Sequence, residues 1–137
     1  MEIKRILVVD DEQDITYTLK TTLGDSGFFQ VDTFNDAESA LCIFRPSLYD
    51  LALLDIRMPE MNGFQLCRKL RSIDHKIKIC FLTAADLGYY TETDSDIIND
   101  LGIDCFISKP VSNEDIIDRL KLILYGLPKS ESEKKIS

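Results

Sequence analysis

The feature that most constrains this chain is a strict alternation. Short, nearly uninterrupted apolar runs are separated by segments whose apolar residues recur every three or four positions. The runs fall at 3–9, 28–34, 51–56, 77–82 and 105–107. The second alternates, with Phe29, Val31 and Thr33 on one side, and the third is apolar except for one acid, Asp55. Runs this apolar suit strands covered on both faces, as in a parallel sheet.

The intervening segments read as amphipathic helices. Ile15, Leu19 and Leu23 are spaced by four, with Gly24 as the expected stop. Ala37, Ala40, Leu41 and Phe44 follow the i, i+3, i+4, i+7 pattern, and Asn35 and Glu38 are placed like a capping box. Gly63, Leu66, Cys67 and Leu70 repeat the pattern, and a weaker fourth helix carries Ile97, Ile98 and Leu101 before Gly102. In the last helix Ser112 caps, Asp115 sits three residues on, and Ile116, Leu120, Ile123 and Leu124 make the buried stripe.

Five strands alternating with five helices mean an α/β domain with a parallel sheet, since parallel neighbours need crossover connections. Residues 1–125 form this single domain, and 126–137, GLPKSESEKKIS, read as a polar tail or the start of a linker. A chain of 137 residues, 45% hydrophobic, buries a core without disulfide or metal support. No apolar run is long enough to span a bilayer and the N-terminus lacks a signal-peptide layout, so the expected location is the cytoplasm. The net charge of −8 argues against direct binding to nucleic acid. Cys42, Cys67, Cys80 and Cys105 form no C-x-x-C pair, and each lies in an apolar stretch as a small core residue of a reducing compartment. His75, the only histidine, lies in a polar turn, which sets aside metal binding through sulfur or imidazole.

The polar residues carry the functional signal. Asp10 and Asp11 end the first strand, Asp55 the third, Thr83 the fourth and Lys109-Pro110 the fifth. In an open parallel sheet the strand C-termini share one edge, where ligands bind. Three carboxylates there repel: two unit charges 4 Å apart cost about 4 kcal/mol at an effective dielectric near 20. They call for a proton or a cation, and an all-oxygen site with room for water and a phosphate oxygen suits Mg²⁺. Lys109 offers a point charge and Thr83 a hydroxyl to phosphoryl oxygens. A carboxylate can itself be the nucleophile, so the composite is a metal-assisted phosphoryl acceptor. Taken singly, each residue has a plainer reading as a turn former, helix cap or surface lysine. Those readings leave unexplained why all of them fall at strand C-termini while the strand interiors stay apolar.

The blocks VVDDE at 8–12, LLDIRMPEMNGF at 53–64, FLTA at 81–84 and SKP at 108–110 resemble the signature blocks of response-regulator receiver domains, in order and over nearly the whole chain. The resemblance implies a doubly wound, flavodoxin-like sheet of order 2-1-3-4-5, a fold for which receivers are a standard example. It implies that Asp55 takes a phosphoryl group from a sensor histidine kinase or phosphotransfer protein. Asp11, Asp55 and the carbonyl of Arg57 would hold Mg²⁺, with Asp10 helping through water. Lys109 and Ala84 would contact the phosphoryl group, and Pro110 would follow a cis peptide bond. Thr83 and Phe106 would form the switch, altering a surface of helix four, strand five and helix five that a partner or output domain reads. Such a domain catalyses only its own phosphorylation and dephosphorylation, and is no enzyme toward other molecules.

Departures from the family pattern stand out. The segment between Thr83 and Lys109 is longer than usual, with the excess expected in a loop, ADLGYYTETDSD, carrying Tyr89 and Tyr90. Phe106 lacks a phenol hydroxyl, so any switching by it rests on burial alone. Arg57 and Ala85 stand two residues past Asp55 and Thr83, where the family tunes phosphoryl lifetime. Three alternatives fit less well. A phosphorylation-independent interaction module would not need the intact polar set. A flavin carrier would want a phosphate-cradling loop where this chain has DDEQD. A haloacid-dehalogenase-type phosphatase would want a second acid two residues past its nucleophile as general acid; that position is Arg57 after Asp55 and Glu12 after Asp10, a poor match.

Overall fold

A computed structural model of the chain describes residues 2–84 and 102–126. Strands β1 (Lys4–Val9), β2 (Phe29–Phe34), β3 (Leu51–Leu54), β4 (Lys78–Thr83) and β5 (Cys105–Ser108) form one sheet of order β2-β1-β3-β4-β5, and every neighbouring pair is parallel. Around it lie α1 (Gln13–Asp25), α2 (Ala37–Ile43), α3 (Gly63–Ile73) and a C-terminal helix (Asn113–Tyr125). The fourth helix expected around 97–101, and the loop with Tyr89 and Tyr90, lie outside the described residues.

The apolar runs are strands because both of their faces are covered. Leu7 and Val9 of β1 join Ala52 and Leu54 of β3 and Ile79 and Phe81 of β4 against Ala37 and Ala40 of α2 and Leu66, Cys67 and Leu70 of α3. The opposite faces, with Ile6, Val8, Leu51, Leu53 and Cys80, pack on Leu19 and Leu23 of α1 and on Ile116 and Leu120 of the C-terminal helix. Each fully buried aliphatic side chain here is worth about 1.5–3 kcal/mol relative to exposure. No helix among the described residues is long and apolar enough to cross a membrane.

Local signals decided several boundaries differently from the sequence reading. α1 runs through Gly24 to Asp25, and the left-handed turn falls at Gly27, with φ of 85°. Gly24 is solvent-facing and its helical backbone needs no special conformation, so the stop waits for a position that does. α2 is capped by Asp36, whose carboxylate accepts from the Ser39 amide, and not by Asn35. Asn35 is drawn instead toward the sheet edge, as described below. α3 carries a full capping box, Asn62 with Gln65, and Ser112 caps the C-terminal helix as expected. Of that helix's stripe Ile116 and Leu120 are buried, whereas Ile123 and Leu124 are half-buried near its end. Cys67 and Cys80 are core residues, Cys105 is half-buried, and Cys42 is exposed on α2, contrary to the expectation for all four. α2 ends one residue later, so Cys42 sits on its outer face while Ala37 and Ala40 take the inner one.

Candidate functional site

Sheet register carries the acidic residues to one place. Val9 is paired with both Phe34 and Leu54, and the ladder continues past the strand ends. The Asp10 amide donates to the Phe34 carbonyl at 3.1 Å and the Asp55 amide to the Val9 carbonyl at 2.9 Å. Asp10 and Asp55 therefore stand side by side where the chain leaves the middle of the sheet. One carboxylate oxygen from each of Asp10, Asp11 and Asp55 lies within 4.8 Å of the others. Asp10 and Asp55 are buried, with 2% and 6% of their surface exposed, while Asp11 faces solvent. Two buried carboxylates with a third beside them form an all-oxygen cluster of the kind that holds a hard divalent cation.

Lys109 enters from the end of β5. Its Nζ donates to Asp10 Oδ2 at 2.8 Å and lies 3.8 Å from Glu12 Oε1. Its peptide bond to Pro110 is cis. Burial pushes Asp55 up to about 6, and the charges of Asp10 and Asp11 push the same way, with Lys109 and the Ile56 amide opposing them. Burial alone would lower Lys109, but its hydrogen bond and attraction to Asp10, and the charges of Asp55 and Glu12, outweigh it and hold the ammonium above the ordinary lysine range. The lysine is thus firmly cationic, while Asp55 is raised by burial and by the charges of Asp10 and Asp11.

The other expected residues take the following places. Thr83 is the last residue of β4, in register with Ser108, and its side chain lies outside the described part of the structure. Ala84 follows it and is exposed. Arg57 is exposed in the connection from β3 to α3. Phe106 lies on β5, half-buried, with its ring stacked on Phe81 at 5.3 Å between centroids, and Phe81 in turn meets Phe64 edge-on at 5.1 Å. Asp10, Asp11, Asp55 and Lys109 are brought together; Phe106 stands apart, in the packing beneath β5.

Three supporting contacts are not legible in the sequence. Asn35 Nδ2 lies 2.9 Å from both the Asp10 carbonyl and Thr16 Oγ1, tying the end of β2 to the acidic turn and to the first turn of α1. Asp10 Oδ1 accepts from the Glu12 amide at 2.9 Å, so the helix entry itself orients the carboxylate. Gly63 opens α3 directly against the backbone of Asp55: a Cβ there would sit 2.3 Å from the Asp55 carbonyl oxygen and 2.9 Å from Ile56 Cα. Its amide donates to Ile56 at 2.8 Å. The one available signal was the glycine in MNGF, at a helix start where a glycine is otherwise a poor choice.

A family model described as a response regulator receiver domain matches residues 6–121. The alkaline phosphatase synthesis transcriptional regulatory protein PhoP of Bacillus subtilis is 37% identical over 121 residues, covering 88% of this chain and 48% of the relative. The transcriptional regulatory protein CpxR of Klebsiella pneumoniae is 34% identical over 130 residues, 95% of this chain and 53% of the relative. The chain thus spans about half the length of these curated relatives. A receiver domain protein from Methanospirillum hungatei superposes with a TM-score of 0.79 at 30% identity, covering 98% of this chain and 99% of that one. The response regulator TrrA of Thermotoga maritima, solved in complex with Mg(2+)-BeF, superposes at 0.71 with 33% identity, over 89% of this chain and 100% of that one.

Proposed function

The chain belongs to the response regulator receiver family, the signalling switches of two-component systems, and from that membership we propose that it is a phosphoacceptor whose nucleophile is Asp55. The observation that carries this reading is the juxtaposition of buried Asp55 with Asp10 and Asp11, closed on one side by the Lys109 ammonium on Asp10. A carboxylate oxygen of Asp55 attacks the phosphorus of a phosphohistidine on a sensor kinase or phosphotransfer protein. The P–O bond forms as the P–N bond breaks, and the imidazole leaves with a proton. Asp10, Asp11 and Asp55, with the Arg57 carbonyl, are the groups that would hold Mg²⁺. When bound, such a cation neutralises the carboxylates and takes up charge on the phosphoryl oxygens. Lys109 steadies the equatorial oxygens from the other side, and Ala84 borders the space they occupy.

A cleft of about 520 Å³ opens beside Lys109, lined by Ile15 and Leu19 of α1 and by Pro110, Val111 and Ile116. Its apolar walls next to an acidic edge suit a helical partner that presents a phosphohistidine. Phosphorylation adds a charge of about −1.5 to −2 at the sheet edge. Thr83 and Phe106 then relay that change to the surface around β5 and the C-terminal helix. The reader of that surface is an effector or an output domain, and this chain, at −8, leaves nucleic acid to that partner. We take residues 1–125 as the receiver and 126–137 as tail or linker.

Intact mass after incubation with acetyl phosphate tests the reading. A single phosphoryl adduct is expected with Mg²⁺, none with chelator, and none for Asp55→Asn. An adduct that persists in Asp55→Asn, or none in the wild type with Mg²⁺ and a fresh donor, overturns it.

A further inference from the structure

Two cysteines that the phosphoacceptor site does not use lie opposite one another on neighbouring strands. Cys80 of β4 is the register partner of Cys105 of β5, and both thiols face the layer formed by α1 and the C-terminal helix. Adjacent strands run about 4.8 Å apart, inside the Cα separation that disulfides span. Parallel neighbours hold their Cβ atoms somewhat wide for an unstrained bridge, so closing one requires a strand to move. β5 is the edge strand of the sheet, and no strand among the described residues pairs with its far side to resist. Cys105 is half-buried and opens the strand, whereas Cys80 is fully buried behind it.

We propose that Cys105 and Cys80 form a hydroperoxide-responsive thiol pair, Cys105 as the attacking and Cys80 as the resolving residue, closing a reversible bridge between β4 and β5.

The environments divide the roles. A hydrogen bond shared with Cys105, together with burial, keeps Cys80 protonated. The same hydrogen bond, helped by the Arg119 guanidinium, lets Cys105 ionise more readily, against the opposing effects of burial and of the Asp104 carboxylate. Arg119 is fixed in this position because its Nη1 also donates to the Phe106 carbonyl at 2.9 Å. The Cys105 thiolate attacks a hydroperoxide oxygen: the S–O bond forms, the O–O bond breaks, and the alcohol or water leaves. Sulfur is oxidised to the sulfenic acid. Cys80 sulfur then attacks Cys105 sulfur, the S–S bond forms, and hydroxide departs with the Cys80 proton as water. A strained bridge is readily reduced by a dithiol, as a reversible switch requires. Its consequence falls on β5, since Phe106 is the next residue and Lys109 leaves the end of the same strand.

The test uses the full chain carrying Cys42→Ser, which removes the exposed thiol on α2 and with it intermolecular pairing. Mild hydrogen peroxide should remove two hydrogen atoms from the intact mass. Digestion without reductant should join the peptides containing Cys80 and Cys105, and dithiothreitol should reverse the change. Cys105→Ser should abolish the reaction, while Cys80→Ala, with folding verified by circular dichroism, should leave a dimedone-reactive sulfenic acid on Cys105. Amide exchange across β5 should slow in the oxidised form. A bridge to Cys67, sulfinic acid without a bridge, or no reaction in a folded protein overturns the proposal. None of these readouts involves phosphorylation, so they stand apart from the outcome at Asp55.

Discussion

At the scale of single residues, the site is a balance between buried carboxylates and one cation. Asp55 has its folded-state pKa raised to about 6 by burial and by Asp10 and Asp11, above its unfolded value. For an acid shifted in this direction the folded state binds the proton more tightly. Its stabilising contribution is therefore complete below about pH 4 and lost as pH rises through 6. Metal-free Asp55→Asn should then be more stable than wild type at pH 7–8 by about 2–3 kcal/mol. The difference should vanish near pH 4, and urea titrations in chelator at the two pH values measure it. Saturating Mg²⁺ should narrow the gap at neutral pH. The opposite sign is expected at Lys109, whose side chain covers Asp10 at 2.8 Å. Lys109→Met leaves Asp10 buried without its cation and should cost about 2–3 kcal/mol. Adding Asp10→Asn should recover much of that loss, which a double-mutant cycle reads directly.

At the scale of elements, the acidic edge is held by α3 on one side and by Asn35 on another. Gly63 lets α3 start against the Asp55 backbone, and the Asn62–Gln65 capping box fixes the helix in that position. Gly63→Ala has only backbone to push against, so it should destabilise by about 1–3 kcal/mol and slow adduct formation from acetyl phosphate. Asn62→Ala, which loses the cap but adds no clash, should cost about 1 kcal/mol with a smaller effect on the adduct rate. Comparing the two variants separates loss of helix stability from displacement of Asp55. Periodicity places Gly63 on the apolar face of α3, and it is buried there. The backbone contact was not legible, because a close approach depends on where β3 ends relative to α3. Asn35 shows the same limit. Its spacing to Glu38 resembles a capping box, yet Asp36 next to it caps equally well and leaves Asn35 to bridge Asp10 and Thr16.

At the scale of the whole molecule, the ends of the described chain are tied together on the side away from the acidic edge. The Tyr125 hydroxyl lies 2.6 Å from the Glu2 carbonyl and 2.7 Å from that of Phe28, and its ring packs edge-on to Phe28. The next residue, Gly126, ends the helix in the left-handed region with φ of 68°. A chain ending at Gly126 should therefore unfold within about 0.5 kcal/mol of the full chain, whereas Tyr125→Phe should lose about 1 kcal/mol. Thermal or urea unfolding of both checks the proposed domain boundary. A large loss on removing 127–137 would mean that the tail belongs to the domain.

The strand runs, the alternation with helices, the class of sheet and the polar residues at the strand ends can be read from the chain alone. These are legible because burial on two faces, helical periodicity and turn chemistry act over a few neighbouring residues. The strand order came from family resemblance, since periodicity does not say which strands are neighbours. Only the tertiary structure decided that Lys109 rests on Asp10, that α3 presses a glycine against Asp55, that Asn35 serves the sheet edge, and that Cys80 faces Cys105. Each of these is a contact between residues distant in the chain or in competition with an equally suitable neighbour. Such contacts are set by register and packing, which no local pattern encodes.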